Sequence, residues 1–378
     1  MIDDHRDLEA PIPAPDQRLN VRELAAFLQG PLDVRSLSLS VLTIIALGAT
    51  LYVARAILMP IVLALLLSFL LAPAVQGLTH LRLPEPLGAA VVLLAILGVA
   101  GLGTYGLWEP ATEWIQQLPQ SVRQIEARMR PVKQSVEELS ETTKKVEEMT
   151  QAGSGTAPTP VEINVQRPGL TGTVINQTLS LLATVGAVTI LLYFLLASGD
   201  LFLLKLVRVL PRLEDKKIAV AIVREVRHDI SHYLLTITLI NAGLGLTVGI
   251  AMWWLGMPNP VLWGVMAASF NFIPYLGAIS GAVILTLVAL LTFDDFGRAL
   301  WVPGVFLSLT TLEGFLITPT IVGQRLTLNP VAIFIWLTFW GWLWGVPGML
   351  LAVPLLATLK IVCDHIQPFN PVGEFLAD

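Results

Sequence analysis

The sequence predicts an all-α, polytopic membrane protein with about eight transmembrane segments, two of them broken or re-entrant, and one extramembrane amphipathic helical segment. Its 378 residues are 54% hydrophobic and only 13% charged, and the mean hydropathy is +0.72. A soluble globular protein carries roughly 25% charged residues. Charged residues are absent from seven stretches, and most of these reach the ~20 residues that cross a bilayer core: 36–54, 56–81, 86–108, 168–199, 230–293, 299–312 and 326–359.

Composition and motifs also exclude several functions. The net charge of −5 provides no basic field for a nucleic acid. The single cysteine, Cys363, cannot form an internal disulfide or a cysteine-based zinc site. The sequence contains no G-x-x-x-x-G-K-S/T nucleotide loop, and neither H-E-x-x-H nor G-x-S-x-G. We therefore expect no enzymatic activity, no cofactor, no ATP-driven step and no nucleic-acid partner.

The charge-free stretches divide the chain into spans and connecting segments. The spans are predicted at 37–57, 59–78, 87–108, 173–197, 232–256, 260–292, 299–320 and 331–362. The regions are a polar cytoplasmic tail (1–36), spans one to three (37–108), an external segment (109–171), span four (172–199), a basic cytoplasmic segment (200–231), spans five to eight (232–363) and a cytoplasmic tail (364–378). No basic start with a short apolar core precedes a cleavage site, so we expect the first span to be an uncleaved anchor.

Lysine and arginine in short loops set the expected orientation, because cytoplasmic loops carry an excess of them. Seven basic residues lie in 198–231, and Arg82 and Arg298 lie in the turns near 80–86 and 293–298. With eight spans, these three connections and both termini face one side, which we assign to the cytoplasm. The opposite side then receives the connections 58–60, 256–260 and 321–330 and the long segment 109–171. Arg325, which lies in 321–330, is the one basic residue of these short connections that disagrees with the assignment.

The external segment carries a coiled-coil pattern. Apolar or small side chains recur there with alternating spacings of three and four over more than four heptads: Ile115, Leu118, Val122, Ile125, Met129, Val132, Val136, Leu139, Thr143 and Val146. Pro119 and Pro131 predict at least one kink, and the sequence QAGSGTAPTP over 151–160 predicts a flexible break. The period fits self-association into a homo-oligomer and fits packing on the protein itself or on the bilayer surface equally well.

The basic segment 200–231 is a second amphipathic stretch, with apolar residues on one face and lysine and arginine on the other. Such a face suits an anionic cytoplasmic leaflet, and a solvated connecting helix explains it at least as well. His228 and His232 lie one helical turn apart, a spacing that can hold a metal. No further ligand is evident, so we expect no metal site.

Two segments in the last third of the chain repeat one plan. Asn259-Pro260-Val261 is followed by Pro274 and Gly277, and Asn329-Pro330-Val331, at an offset of 70, is followed by Pro347 and Gly348. A straight helix over 260–292 would measure about 50 Å, too long for one crossing. Each segment is therefore a kinked span or a re-entrant hairpin. Twin interrupted segments indicate a transporter site, and two ordinary kinked spans are the alternative.

Glu313 is the one carboxylate well inside a predicted span. An ionised group there costs at least ~2.5 kcal/mol, which makes Glu313 a candidate functional residue. The alternative is a neutral carboxyl, or one that bonds to backbone opened by Pro319. Asn241 is a further polar residue of the uncharged run, and it could merely bond helix to helix. The expected neighbours of Glu313 are Asn271, Gln324 or Arg325.

These motifs resemble the autoinducer-2 exporter family of bacterial inner-membrane proteins over most of 38–363. The resemblance rests on three spans, a variable outer segment and five more spans. It rests also on these motifs: Phe272-Ile273-Pro274-Tyr275-Leu276-Gly277, Glu313-Gly314 through Thr318-Pro319 to Val322-Gly323, Leu328-Asn329-Pro330, and Gly345-Val346-Pro347-Gly348 through Ala352-Val353-Pro354. Many relatives have a second proline where this chain has Tyr275, and often histidine where Asn329 stands. The resemblance implies transport, with proposed cargoes that include autoinducer-2 and, in some relatives, sodium exchanged for protons.

Two classes of function remain. The first is a secondary or facilitated transporter of a small molecule or ion in the bacterial inner membrane, with a sodium/proton antiporter as its variant. The second is a non-transporting membrane scaffold assembled through 115–146. The expected partners are the solute, the lipid bilayer and further copies of the chain. The solute path is predicted to include Asn271, Pro274, Tyr275, Gly277, Glu313, Thr318, Pro319, Gln324, Arg325, Asn329, Pro347 and Gly348.

Overall fold

The computed structural model describes residues 34–114, 116, 170–199, 201, 205, 208–209, 212–322, 328–366 and 369–377. Within these ranges the regular elements are helices: α1 (Val34–Val53), α2 (Arg55–His80), α3 (Glu85–Trp114), α4 (Leu170–Ser198), α5 (Leu213–Trp254), α6 (Pro260–Phe270), α7 (Leu276–Thr292), α8 (Phe296–Leu312), α9 (Thr318–Val322), α10 (Pro330–His365) and α11 (Asn370–Leu376). A π-helix, Glu313–Ile317, joins α8 to α9. In the described part of the chain, six helical segments are long and apolar enough to cross a membrane, and shorter apolar helices accompany them. The predicted all-α polytopic membrane protein is thus confirmed.

The first predicted spans correspond to single helices, α1 to α5, and the span predicted at 299–320 corresponds to α8 and α9. The turn expected at 58–60 is wrong, because the break lies at Ala54 and Pro60 is buried inside α2. The helix continues past Pro60 with one backbone hydrogen bond fewer, because proline has no N–H to donate. The predicted break at 151–160 and nearly all of the predicted heptads over 115–146 lie outside the described residues.

Helices α2, α3 and α4 share an apolar core, and α5 is bonded to α2 beside it. Pro73 inside α2 has no N–H to donate to the carbonyl of Phe69, four residues earlier. The hydroxyl of Ser231 on α5 donates to that oxygen at 2.6 Å. A carbonyl that proline leaves unpaired therefore becomes the acceptor for a bond between helices. The shared core includes Ala64, Val75, Ala89, Val92, Leu93, Leu192 and Leu196.

Helix α6 lies directly against α5 because both helices present glycine at the contact. A Cβ atom built on Gly245 would lie 2.7 Å from the carbonyl oxygen of Gly264, and one built on Gly264 would lie 3.2 Å from the Cα of Gly249. Small residues let two backbones approach this closely. Around this contact, α5 to α8 bury one core, which includes Val248, Met252, Trp263, Leu285, Val302 and Phe306.

Helices α6 and α7 form a re-entrant hairpin, which we name hairpin 1. Arg298, at the start of α8, donates from Nη2 to the carbonyl oxygen of Leu255, at the end of α5, at 3.4 Å. Short loops join α5 to α6 and α7 to α8, so α6 begins and α7 ends at this same end of the bundle. The arms have 11 and 17 residues, about 16 and 25 Å of helix. Neither arm is long enough to cross a bilayer core.

The segment Pro330–His365 is also a hairpin, which we name hairpin 2. Its backbone leaves the helical conformation at Gly345, where φ is 68° and ψ is −147°. Helix α11 closes the base of this hairpin: the N–H of Asn329 donates to the carbonyl oxygen of Leu376 at 3.1 Å, and Gly373 packs against Asp364. A straight helix of these 36 residues would hold its ends about 54 Å apart.

The two hairpins open toward opposite ends of α5. Hairpin 1 opens beside Leu255. Hairpin 2 opens beside Glu225, because Nε2 of its last residue, His365, lies 3.1 Å from Oε2 of Glu225. About 30 residues of helix, roughly 45 Å, separate Glu225 from Leu255. Both interrupted segments are therefore re-entrant hairpins, and α8 with α9 forms the crossing between them.

This arrangement corrects the predicted side of two connections. The turn 293–298, which we predicted on the side of 198–231, lies beside 256–260 through the bond between Arg298 and Leu255. The connection 321–330, which we predicted beside 256–260, contains Asn329 at the base of hairpin 2, toward the opposite end of α5. Both predictions were wrong because each interrupted segment was counted as a crossing, whereas a hairpin returns to the side from which it starts.

Candidate functional site

Glu313 lies where the crossing formed by α8 and α9 changes from α-helix to π-helix, and it is only 7% exposed. The N–H of Thr318 donates to the carbonyl oxygen of Glu313, five residues back. The next residue, Pro319, has no N–H to continue an α-helical pattern. Single π-turns of this kind occur frequently at functional sites. The local sequence thus places a buried carboxylate at an irregular turn inside a predicted membrane span.

Side chains from three elements meet at this carboxylate. Asn271, at the end of α6, donates from Nδ2 to Oε2 of Glu313 at 3.2 Å and to Oδ1 of Asn241 on α5 at 2.8 Å. The hydroxyl of Thr318 donates to Oε1 of Glu313. We name Asn241, Asn271, Glu313 and Thr318 the polar cluster. It connects α5, the tip of hairpin 1 and the π-helix.

One donor of the polar cluster is unused. Asn271 directs Nδ2 at two acceptors, and Oδ1 of Asn241 is one of them. Nδ2 of Asn241 has no hydrogen-bond partner among the described residues, although Asn241 is only 2% exposed. A buried donor without an acceptor costs roughly 1–3 kcal/mol. This amide therefore offers a hydrogen bond to an acceptor oxygen of a solute or of water.

The polar cluster contains one ionisable group, Glu313. Within the described ranges, neither lysine nor arginine forms an ion pair with it. No group of three or more histidine, cysteine, aspartate or glutamate side chains there could hold a metal ion. The expected neighbours Gln324 and Arg325 lie outside the described residues. One carboxylate, two amides and one hydroxyl together can form hydrogen bonds with an uncharged polar solute.

The depth of the polar cluster follows from the helices that carry it. Asn241 precedes Trp254 by 13 residues, and Glu313 follows Phe296 by 17 residues. At 1.5 Å per residue, the cluster lies about 20–25 Å along these helices from the open end of hairpin 1. A bilayer core is about 30 Å thick. The tip of hairpin 1 thus carries polar groups to a depth where α5 and α8 are otherwise apolar.

The tip of hairpin 1 is a tight turn of irregular backbone. Pro274 lies in the turn, as the sequence predicts, and Tyr275 has a positive φ of 63° and is 56% exposed. Gly277, in the first turn of α7, lies so close to the carbonyl oxygen of Phe270 that a Cβ atom would overlap it. Glycine at this position allows the arms to meet directly below the polar cluster.

The tip of hairpin 2 differs from the one that the sequence predicts. The helix breaks at Gly345, and Pro347 lies in the first turn of the second arm, where proline costs a helix little. Gly348 lies against the carbonyl oxygen of Trp340, so that a Cβ atom would overlap it. Asn329 lies at the base of this hairpin, where its Oδ1 accepts a hydrogen bond from the N–H of Val331 at 2.9 Å and caps the helix.

A row of aromatic rings on the first arm of hairpin 2 was not singled out from the sequence. Trp336, Trp340 and Trp344 follow one another at helical spacing, with ring centroids 5.9 and 4.5 Å apart. The indole N–H groups of Trp336 and Trp340 are buried without a partner among the described residues. Buried indoles usually find an acceptor, so these two unpaired donors are an exception among the described residues.

Of the predicted site residues, Asn271, Glu313 and Thr318 are in contact, and Pro319 is adjacent to them. Asn241 was recognised as polar but not as part of the site. Its position in the uncharged run 230–293 was the available signal. Its contact with Asn271 depends on how far hairpin 1 reaches along α5, which the sequence does not state.

Comparison with known proteins identifies the family. The AI-2 transport protein TqsA of Escherichia coli is 28% identical over 86% of this chain and 90% of its own length. YrrI of Bacillus subtilis is 26% identical over 83% of this chain and 87% of its own length. YhhT of E. coli is 32% identical over 39% of this chain and 42% of its own length. The profile of the AI-2E family transporters matches residues 41–367, which include both hairpins and the polar cluster, and the chain therefore belongs to the AI-2E transporter family.

Proposed function

We propose that this protein carries a small polar solute across the bacterial inner membrane by secondary or facilitated transport. The observation that supports this most directly is the buried polar cluster at the tip of a re-entrant hairpin. Irregular backbone at membrane depth is tolerated only where it is buried in protein or lines a water-filled cavity. Discontinuous helices near the bilayer midplane are a common way for transporters to form solute sites.

The chemistry of the polar cluster favours hydrogen bonding to the solute. The free Nδ2 of Asn241 donates to an oxygen of the solute, while Asn271 keeps the hairpin tip against α5. Autoinducer-2 is the solute we propose first, because TqsA is named as an AI-2 transport protein. Sodium/proton antiport is the second candidate, since Glu313 is a carboxylate that can exchange a proton.

The orientation and assembly belong to the same proposal. Both termini and the base of hairpin 2 face the cytoplasm, and the base of hairpin 1 faces outward. The protein is a homo-oligomer to which the heptads over 115–146 contribute. These heptads are compatible with a scaffold as well, so a transport assay is needed to separate the two functions.

Efflux from vesicles tests the proposed function. Purified protein is reconstituted in vesicles loaded with autoinducer-2, and the release is followed with and without a pH gradient. The Asn271→Ala variant loses two hydrogen bonds of about 1 kcal/mol each, so its release should fall about tenfold or more. Ser280→Ala is the matched control, because that hydroxyl bonds within α7 to the carbonyl oxygen of Leu276.

Each outcome distinguishes between the candidates. Release above that of protein-free vesicles, reduced in Asn271→Ala and retained in Ser280→Ala, supports autoinducer-2 transport through the polar cluster. Exchange of sodium for protons without release of autoinducer-2 supports the antiporter. Absence of flux for autoinducer-2, sodium and protons supports the scaffold and contradicts a transporter.

A further inference from the structure

The base of hairpin 2 is joined to α5 by a histidine–carboxylate contact. His365 is the last residue of hairpin 2, and its Nε2 lies 3.1 Å from Oε2 of Glu225. The two side chains are 26% and 44% exposed, so solvent and protons reach them. This contact lies far from the polar cluster along α5, and the proposed transport chemistry makes no use of it.

Both ring nitrogens of His365 face an oxygen acceptor. Nδ1 lies 2.9 Å from the carbonyl oxygen of Ile361, one turn back on the same helix. Nε2 faces the Glu225 carboxylate. A neutral imidazole has one N–H and therefore satisfies only one of these acceptors, whereas an imidazolium donates to both. The geometry is complete only when His365 is doubly protonated.

We propose that His365 and Glu225 form a proton-dependent clip that fastens the base of hairpin 2 to α5. With His365 protonated, the clip consists of an ion pair and two hydrogen bonds. When the ring loses a proton, the ion pair is lost and one nitrogen faces an acceptor without a hydrogen. The clip is therefore closed while the ring carries both protons, in acidic solution, and it opens when the ring becomes neutral at higher pH.

The neighbouring charges leave His365 with Glu225 as its partner. On α10 itself, Lys360 and Asp364 pair with each other at 2.8 Å and so neutralise each other. No other ion pair to His365 occurs within the described ranges. The remaining titratable or charged groups of the adjoining parts of α5 and α11 are Arg224, Arg227, His228, Asp229 and Glu374.

The clip acts at both ends of hairpin 2. Helix α11 begins five residues after His365. The carbonyl oxygen of its last residue, Leu376, accepts a hydrogen bond from the N–H of Asn329, at the start of the first arm. A change at His365 therefore reaches the start of the first arm through α11. The consequence is a hairpin whose mobility responds to the pH of the solution at this end of the protein, which we propose to be the cytoplasm.

Hydrogen exchange tests the clip without any solute. Protection factors are measured by mass spectrometry for peptides over 358–376 at pH 5.5 and pH 7.5, after correction for intrinsic exchange. We expect protection two- to fivefold greater at pH 5.5, the range for a partly exposed ion pair. His365→Gln should give low protection at both pH values. His365→Lys, a permanent cation, should give high protection at both, and Glu225→Gln should remove the pH dependence.

The control is Asp364→Asn, which removes the neighbouring pair with Lys360 but leaves the clip intact. This variant should retain the pH dependence of the wild-type protein. Equal protection at both pH values in the wild-type protein contradicts the proposal. So does a pH dependence that persists unchanged in both His365→Gln and Glu225→Gln. These outcomes are independent of whether autoinducer-2 is carried.

Discussion

At the scale of single residues, Glu313 determines what the polar cluster can do. Its two carboxylate oxygens accept hydrogen bonds from Asn271 and Thr318. Each of these two oxygens thus has a donor from a different element. Asn271 also holds the hairpin tip against Asn241, so one amide joins Glu313 to the contact between hairpin 1 and α5.

Glu313→Gln tests this role, because glutamine keeps the size and hydrogen bonding of the side chain but does not titrate. We expect the variant to fold and assemble nearly as the wild-type protein does. Flux driven by a pH gradient should be abolished, while gradient-independent transport of the same solute should survive. Flux in vesicles with and without the gradient measures the difference. Proton-driven flux at the wild-type level in this variant would rule out Glu313 as the proton carrier.

Glu313 could be identified from the sequence, because a carboxylate is rare in an apolar span and its burial in the membrane costs free energy. The same reasoning found Asn271, which ends a helix beside Pro274. For Asn241, the sequence shows a polar residue in an apolar run but does not show its partner. That partner, Asn271, lies 30 residues further along the chain, beyond a turn whose geometry the sequence does not give. Residue chemistry could be read directly, whereas contacts between elements could not.

At the scale of elements, the contact between α5 and α6 positions hairpin 1. Gly245 and Gly264 allow the two backbones to touch, so the tip of the hairpin has a fixed height along α5. That height sets Asn271 opposite Asn241. The stability of the polar cluster thus depends on glycines that contribute no chemistry themselves.

Two glycines on α5 provide a matched pair for testing this contact. A Cβ atom at Gly245 would lie 2.7 Å from both the Cβ of Ala268 and the carbonyl oxygen of Gly264, whereas one at Gly243 would meet nothing within 4 Å. We expect Gly245→Ala to lower the free energy of unfolding by about 1–3 kcal/mol through overpacking. Gly243→Ala should be neutral or stabilise by about 0.5–1 kcal/mol. Thermal unfolding in detergent compares them, and equal stability of the two variants contradicts the close contact.

The sequence motifs predict an interruption in both hairpins but not the position of the break in hairpin 2. The twin Asn-Pro starts and the glycine–proline breaks predicted two interrupted segments of matching plan. The sequence predicts the second break at Pro347, because proline interrupts helices. The break is instead at Gly345, where a φ of 68° with ψ of −147° suits glycine almost alone. Whether a broken helix continues or reverses depends on such backbone angles, and composition does not reveal them.

At the scale of the whole molecule, two hairpins that open toward opposite ends flank the crossing formed by α8 and α9. This arrangement explains why Arg325 disagreed with the predicted orientation, since a hairpin moves the connection 321–330 to the other side. Counting each hairpin as a return removes the two crossings predicted at 260–292 and 331–362. A hydropathy profile locates the apolar segments, but it does not distinguish a segment that crosses the membrane from a re-entrant hairpin.

Cysteine labelling in intact cells tests this topology. In a Cys363→Ser background, single cysteines replace Arg212, Asp294 and Phe369, all of which are exposed. Residue 294 adjoins Arg298 and therefore lies at the Leu255 end of α5, whereas residues 212 and 369 adjoin the Glu225 end. We expect a membrane-impermeant maleimide to label Asp294→Cys from outside. Arg212→Cys and Phe369→Cys should react only after the inner membrane is permeabilised. With eight crossings, position 294 would face the cytoplasm together with position 212, so labelling of both from the same side would contradict the opposed hairpins.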